Sequence, residues 1–209
     1  MVKRPDSRTQ RQKVVDRIQR SILNGKLRPG EPLRQVPLSE HYGVSQSVIR
    51  ESLQMLEQQG LVASEKQRGF VVRTFGKQEL LDAYRVREVL EGLAARLCCR
   101  KASRDDTDRL RDLAHQIHAT TGPRSRSRRS ELEYVFHQSF LRLSGNETLR
   151  RVSVGYRFVG NLVVTERDAD QLLDEHLAIV AAVAGDRPDE AERLARLHIA
   201  TSADSILNT

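Results

Sequence analysis

The chain has 209 residues, 38% of them apolar and 30% charged, the balance of a soluble globular protein with one large or two small domains. No run of about 18 apolar residues occurs, which argues against a membrane-spanning helix, and the charged start MVKRPDSRTQRQK lacks the apolar stretch of a secretory signal, so a cytoplasmic protein is expected. The net charge of +7 is unevenly placed: residues 1–76 hold 14 Lys+Arg against 7 Asp+Glu, residues 77–209 hold 21 against 21.

A basic first third joined to a neutral remainder points to a nucleic-acid module attached to something else. The two cysteines, Cys98 and Cys99, are adjacent. They form neither a disulfide framework nor a CxxC metal spacing, which fits a reducing compartment.

Residues 9–24 carry Val14, Val15, Ile18, Ile22 and Leu23 at helical spacing, and Gly25 follows as a stop. KLRPGEPL (26–33) reads as a Pro/Gly turn segment. A short helix fits Pro37–Tyr42, with Pro in its first turn and Gly43 at its end. Ser45 is a good N-cap for a helix through Gln59, with Val48, Ile49, Leu53 and Leu56 on one face.

The pattern then changes to two short β-prone runs, LVAS (61–64) and FVVR (70–73), around the basic tip EKQRG. Three helices and a small hairpin, with a Gly-containing turn between the second and third helices, make a winged helix-turn-helix. The expected division is a DNA-binding domain over residues 1–74, a linker over 75–77 and an all-helical domain over 78–209. Helices are expected at 78–101, 104–119, 129–144, 147–166, 169–185 and 188–206, a six-helix bundle. GPRSRSRRS (122–130) is expected as a solvated loop between two of them.

Six histidines occur. His41 belongs to the DNA module, and His115 and His118 are expected on an exposed helix face. His176 and His198 lie on the arms of a helical hairpin turning at Gly185-Asp186-Arg187-Pro188, one 10 residues before Asp186 and the other 12 after. At about 1.5 Å per residue they stand at nearly the same height. Glu133 and His137 are an i,i+4 pair on one face of an apolar helix. One carboxylate and three imidazoles could thus meet in the bundle core, a set suited to a divalent transition metal such as Zn, Ni or Mn. The plainer alternative is a group of hydrogen-bonded core histidines.

Residues 43–60, GVSQSVIRESLQMLEQQG, followed by Leu61-Val62 and Gly69, resemble the winged helix-turn-helix of the GntR family of bacterial transcription regulators. By that resemblance Ser45, Gln46, Ser47 and Arg50 face bases and phosphates in the major groove, while Lys66, Arg68 and Gly69 shape the wing. The family usually has Arg where this chain has Gln46 and often where it has Val36; Arg34 offers a replacement charge.

The second half resembles the FCD ligand-binding domain of the FadR subgroup. The carrying residues are Arg87 and Glu91, Glu133 and His137, Ser144-Gly145-Asn146, Glu175-His176 and His198. The resemblance implies metal ligation by Glu133, His137, His176 and His198, with Glu133 standing where the family has Asp. It places Arg87 facing the same pocket, either as an ion pair with Glu91 or as a grip on the carboxylate of an organic acid.

The resulting expectation is a homodimeric regulator, more often a repressor, that binds a palindromic operator on double-stranded DNA. A small organic acid held with a divalent metal would control its affinity. A helical metal-dependent hydrolase with a basic N-terminal module is the rival from another class. A DNA-binding architectural protein without a ligand is the third.

Overall fold

The computed structural model describes residues 9–23, 25–122, 125–153, 156 and 167–207. The chain divides into two compact units, Met1–Thr74 and Phe75–Thr209.

The first unit opens with α1 (Gln10–Leu23), α2 (Gln35–Tyr42) and α3 (Gln46–Gln58). Val14, Val15, Ile18 and Ile22 of α1 and Ile49, Leu53 and Leu56 of α3 are buried against one another, as their helical spacing requires. α2 ends at Gly43, whose φ of 66° closes the helix in the left-handed region. Two residues on, Ser45 Oγ accepts from the Val48 amide and starts α3. This tight change of direction sets α3 apart from α2.

β1 (Val62–Glu65) and β2 (Gly69–Val72) pair antiparallel, with Val62 opposite Val72 and Glu65 opposite Gly69. The tip turns through positive φ at Gln67 and Gly69. The segment before α2 is more than a turn. Gly30 and Leu33 donate to the Val72 and Phe70 carbonyls, and the Val72 amide donates to Glu31. The Pro/Gly run therefore lies along β2 through an isolated antiparallel bridge, Pro32 opposite Val71, which its turn residues concealed.

The second unit is helical among the described residues: α4 (Lys77–Cys98), α5 (Arg104–Ala119), α6 (Arg126–Leu143), α7 (Glu147–Val152), α8 (Ala169–Ala184) and α9 (Pro188–Leu207). The expected linker is shorter than three residues. Lys77 already belongs to α4, Gly76 is its N-cap and Phe75 packs against Ala83, Tyr84 and Ile199.

α6 begins at Arg126, so most of the expected 122–130 loop is helix. The run Arg126-Ser127-Arg128-Arg129-Ser130 contains no breaker, and Arg128 pairs with Glu131 one turn on. The helix expected over 147–166 is observed over Glu147–Val152; most of its remainder lies outside the described residues.

α4 packs along α9, α5 along α8, and α6 against α4 and α5. The core holds Ala94, Leu110, Phe136, Leu141, Val180 and Ala191 among others. Small residues let the helices approach closely. At Gly92 an added Cβ would stand 2.5 Å from Arg196 Cγ, so α4 and α9 meet there without room for a side chain. Cys98 and Cys99 are free and buried, and burial pushes the Cys98 thiol up to about 12.

Candidate functional site

Three helices converge on a histidine cluster. α6 supplies His137, α8 supplies His176 and α9 supplies His198. One ring nitrogen from each lies within 4.8 Å of the others. The His176 and His198 ring centroids are 4.8 Å apart, and the His137 and His198 rings stack at 5.2 Å. The equal heights expected for His176 and His198 on the hairpin are thus present. Phe136 closes one side, its ring 4.2 Å from that of His176.

The ring nitrogens are not equivalent. His137 Nδ1 is 2.6 Å from Glu91 Oε2, and His198 Nδ1 is 2.8 Å from Glu175 Oε2. Each carboxylate holds the proton on Nδ1 and leaves Nε2 as a lone-pair donor. Each carboxylate is itself held by a buried arginine. Arg87 donates from Nε (2.9 Å) and Nη2 (2.7 Å) to Glu91 Oε1, and stacks on Tyr84 at 4.9 Å. Arg167 donates to Glu175 Oε1 and, at 3.2 Å, to Ser202 Oγ. Two Arg–Glu–His chains therefore orient the outer imidazoles.

The third imidazole has no such support. His176 is fully buried, and neither ring nitrogen has a hydrogen-bond partner. Its Nε2 faces Glu133 Oε2 at 3.5 Å, and the same oxygen lies 3.8 Å from His137 Nε2. An apolar-walled cavity of about 10 Å3, space for about one water, lies between Glu91, His137 and His198 on one side and Phe136, Phe140 and Ile179 on the other.

Burial sets the electrostatics. It drives His176 well below the ordinary histidine range and His198 down to about 4, against the pull of Glu175, so both imidazoles are neutral. Burial would raise Glu91, but the charge of Arg87 and the hydrogen bonds from His137 and Arg87 outweigh it and hold the carboxyl well below the carboxylate range. Glu175 is drawn down to about 2; burial opposes this, and its bonds to His198 and Arg167 prevail. Glu133 moves the other way, raised by burial despite His137 and Arg129. Its Oε2 faces the imidazoles of His176 and His137.

Sequence reasoning brought Glu133, His137, His176 and His198 to one place but missed what holds them. Glu91 was read only as the partner of Arg87, and Glu175 only as half of a Glu-His doublet. Arg167 was not singled out, and only its position eight residues before Glu175 could have drawn attention. His118 is half-buried, and its Nε2 lies 2.8 Å from Asp170 Oδ1, tying α5 to α8.

In the first unit, Arg34, Ser45, Gln46, Ser47, Arg50, Lys66, Arg68 and Gly69 are all exposed. Gln46, Ser47 and Arg50 occupy the first turns of α3, where a recognition helix meets DNA. The Ser45 hydroxyl is engaged as the N-cap and lies 2.8 Å from Ser47 Oγ. Arg68 folds back, pairing with Glu65 at 2.8 Å and reaching the Gly30 carbonyl at 3.3 Å. Val36 stands half exposed on α2, an apolar side chain beside Arg34.

Comparison with known proteins agrees with this division. Residues 10–72 match the gntR family of bacterial regulatory proteins, and residues 82–201 match the FCD domain. The chain is 30% identical over 184 residues to the Nta operon transcriptional regulator of Aminobacter aminovorans, covering 86% of each. It is 24% identical over 216 residues to the galactonate operon transcriptional repressor of Escherichia coli, covering 91% of this chain and 93% of that one. The solved structure of E. coli McbR/YncC shares the fold, with a TM-score of 0.80 at 17% identity over 96% of this chain and 98% of that one. Among the described residues no helix is long and apolar enough to cross a membrane. These relatives are regulators of transcription and not enzymes, so the hydrolase alternative is set aside. With its winged head and helical second unit, the chain belongs to the gntR family of bacterial regulatory proteins, carries an FCD domain, and is a DNA-binding transcription regulator.

Proposed function

We propose that the helical unit binds a divalent transition metal (Zn, Ni or Mn) through Glu133, His137, His176 and His198, together with a small organic acid, and that this ligand controls affinity for an operator. The observation that carries the reading is His176, fully buried with both ring nitrogens unpartnered. Such a group costs free energy unless something takes its lone pair. The two Arg–Glu–His chains support it further, since they present Nε2 donors as metal-ligating histidines require.

The spacing of Glu133 supports its role despite its longer side chain. Around an ion with bonds of about 2.1 Å, tetrahedral neighbours stand about 3.4 Å apart. Glu133 Oε2 lies 3.5 and 3.8 Å from two imidazole nitrogens. When bound, the ion would supply a Lewis-acidic position for a carboxylate.

The regulator acts as a repressor in the cytoplasm, and works as a homodimer on a palindromic site. Val86, Val89 and Leu93 follow one face of α4 and are exposed together with Leu197 of α9, an apolar surface suited to a second copy. On DNA, Gln46, Ser47 and Arg50 enter the major groove, with Ser45 positioning the helix. Arg34, Lys66 and Arg68 hold backbone phosphates, and Gly69 shapes the wing.

The test is metal content and operator binding of the His137→Ala variant. Wild-type protein should hold metal stoichiometrically. The variant should lose most of it and lose the response of operator binding to carboxylates, while metal-free DNA affinity stays unchanged. Stoichiometric metal in the variant would overturn the assignment.

A further inference from the structure

We propose that Gln46 and Arg50 each read one base pair of an operator half-site, Gln46 an A·T pair through its adenine and Arg50 a G·C pair through its guanine, about two base-pair steps apart. This rests on the reading above that the first turns of α3 enter the major groove. The packing of the helix places both residues. Ile49, Ser52, Leu53 and Leu56 are its buried residues, so Gln46 and Arg50, one turn apart, lie together on the exposed side.

The other polar groups at this end of the face are already engaged. The Ser45 hydroxyl accepts from the Val48 amide and lies 2.8 Å from the Ser47 hydroxyl, so the two short side chains hold each other. Glu51, the acid next to Arg50, pairs with Arg11 of α1 at 3.2 Å. That pair turns the carboxylate toward α1 and away from Arg50. Gln46 and Arg50 make no hydrogen bond or ion pair with another described residue. Both therefore bring their full set of donors and acceptors to the DNA.

The chemistry of the two side chains assigns the bases. The Gln46 carboxamide carries one acceptor oxygen beside one donor nitrogen. In the major groove adenine presents the complement, its N6 donor and N7 acceptor. Guanine presents two acceptors, O6 and N7, and would set one of them against the Gln46 oxygen. The Arg50 guanidinium has donors only, so it matches guanine and is refused by the amino group of adenine. Four residues rise about 6 Å along a helix, and base pairs are stacked about 3.4 Å apart, which gives the spacing of about two steps.

The experiment selects binding sites from random double-stranded DNA at fixed salt with the full chain, as wild type, Gln46→Ala, Gln46→Arg and Arg50→Ala. Melting temperatures should agree within a degree or two, since both residues are exposed. Wild type should select A·T at one position of each half-site and G·C about two steps away, each favoured about fivefold to a hundredfold over other pairs. Gln46→Ala should lose the preference for A·T alone, and Gln46→Arg should turn that same position to G·C. Arg50→Ala should lose the preference for G·C alone. A Gln46 variant that keeps the wild-type preferences, or a Gln46 position that selects a pair other than A·T, would overturn the proposal while Arg50→Ala still shows α3 in the groove. Unchanged preferences in all three variants, or no selected sequence with wild type, would overturn the placement of α3 and this proposal with it.

Discussion

The two units treat charge in opposite ways. In residues 1–74 ion pairs sit in water: Arg11 with Glu51 at side-chain exposures of 48% and 53%, and Arg68 with Glu65 at 54% and 42%. In residues 75–209 the pairs around the histidine cluster are closed off: Arg87 with Glu91 at 8% and 10%, and Arg167 with Glu175 at 6% and 20%. Exposed pairs contribute little and exchange partners freely, which suits a surface that must meet phosphates. Buried pairs contribute little net stability against apolar replacements but are costly to break singly. They suit a site whose side chains must be held in place before a ligand arrives.

The largest expected effect of this difference is on acid stability. In the unfolded chain imidazoles titrate near pH 6.5, whereas in the folded metal-free protein His198 titrates at about 4 and His176 below the ordinary range. Below about pH 6.5 the unfolded chain takes up protons that the folded one refuses, so stability is full above that pH and falls as pH is lowered. His198 alone removes about 2 kcal/mol by pH 5 and about 3 kcal/mol by pH 4. Glu175, depressed to about 2, adds a further loss below the ordinary carboxylate range. Glu133, raised by burial, works in the opposite sense, its ionisation costing stability as pH rises. Urea denaturation with chelator at pH 7, 6 and 5 reads the balance. A transition of the helical unit that does not weaken between pH 7 and 5 would show the histidines to be solvated.

The exposed unit should respond to substitution without any such stability cost. Arg50→Ala should weaken operator binding by about 1–3 kcal/mol, the value of one good base contact, with an unchanged melting temperature. Retardation of promoter DNA at fixed salt measures the first and calorimetry the second. Carboxylate binding by the helical unit should be unaffected. A variant that binds the operator normally would move the readout to Gln46 and Ser47.

The same contrast explains what the sequence made legible. Helix positions follow from apolar spacing, and the spacing of α1 and α3 is regular, so their faces were read correctly down to Ile18 and Leu53. The levelling of His176 and His198 needed only the rise per residue and the turn at Asp186. What was not legible depends on side-chain direction between distant segments. Glu91 reaches His137 across 46 positions and Glu175 reaches His198 across 23, and no local pattern encodes either contact. Arg129 was folded into an arginine–serine run that looked like solvated loop. Without Gly or Pro inside it, that run continues α6. The backbone bridging of residues 30–33 to β2 was hidden for the converse reason, since Pro and Gly mark a turn whether or not the flanking amides find a sheet edge.

The smallest expected effect lies at the wing. Arg68 spends its guanidinium on Glu65 and the Gly30 carbonyl, yet the pair is exposed and contributes no more than about 1 kcal/mol. Glu65→Gln should therefore leave the melting temperature within a degree or two, while freeing Arg68 and removing a negative charge beside the phosphates. DNA affinity should rise a few-fold, and the slope of log affinity against log salt should steepen by about one ion. An unchanged slope would place Arg68 off the DNA and leave Lys66 as the wing's phosphate contact. A buried pair cannot be opened this way: the corresponding change at Glu91 would strand Arg87 without its partner and let the His137 ring turn.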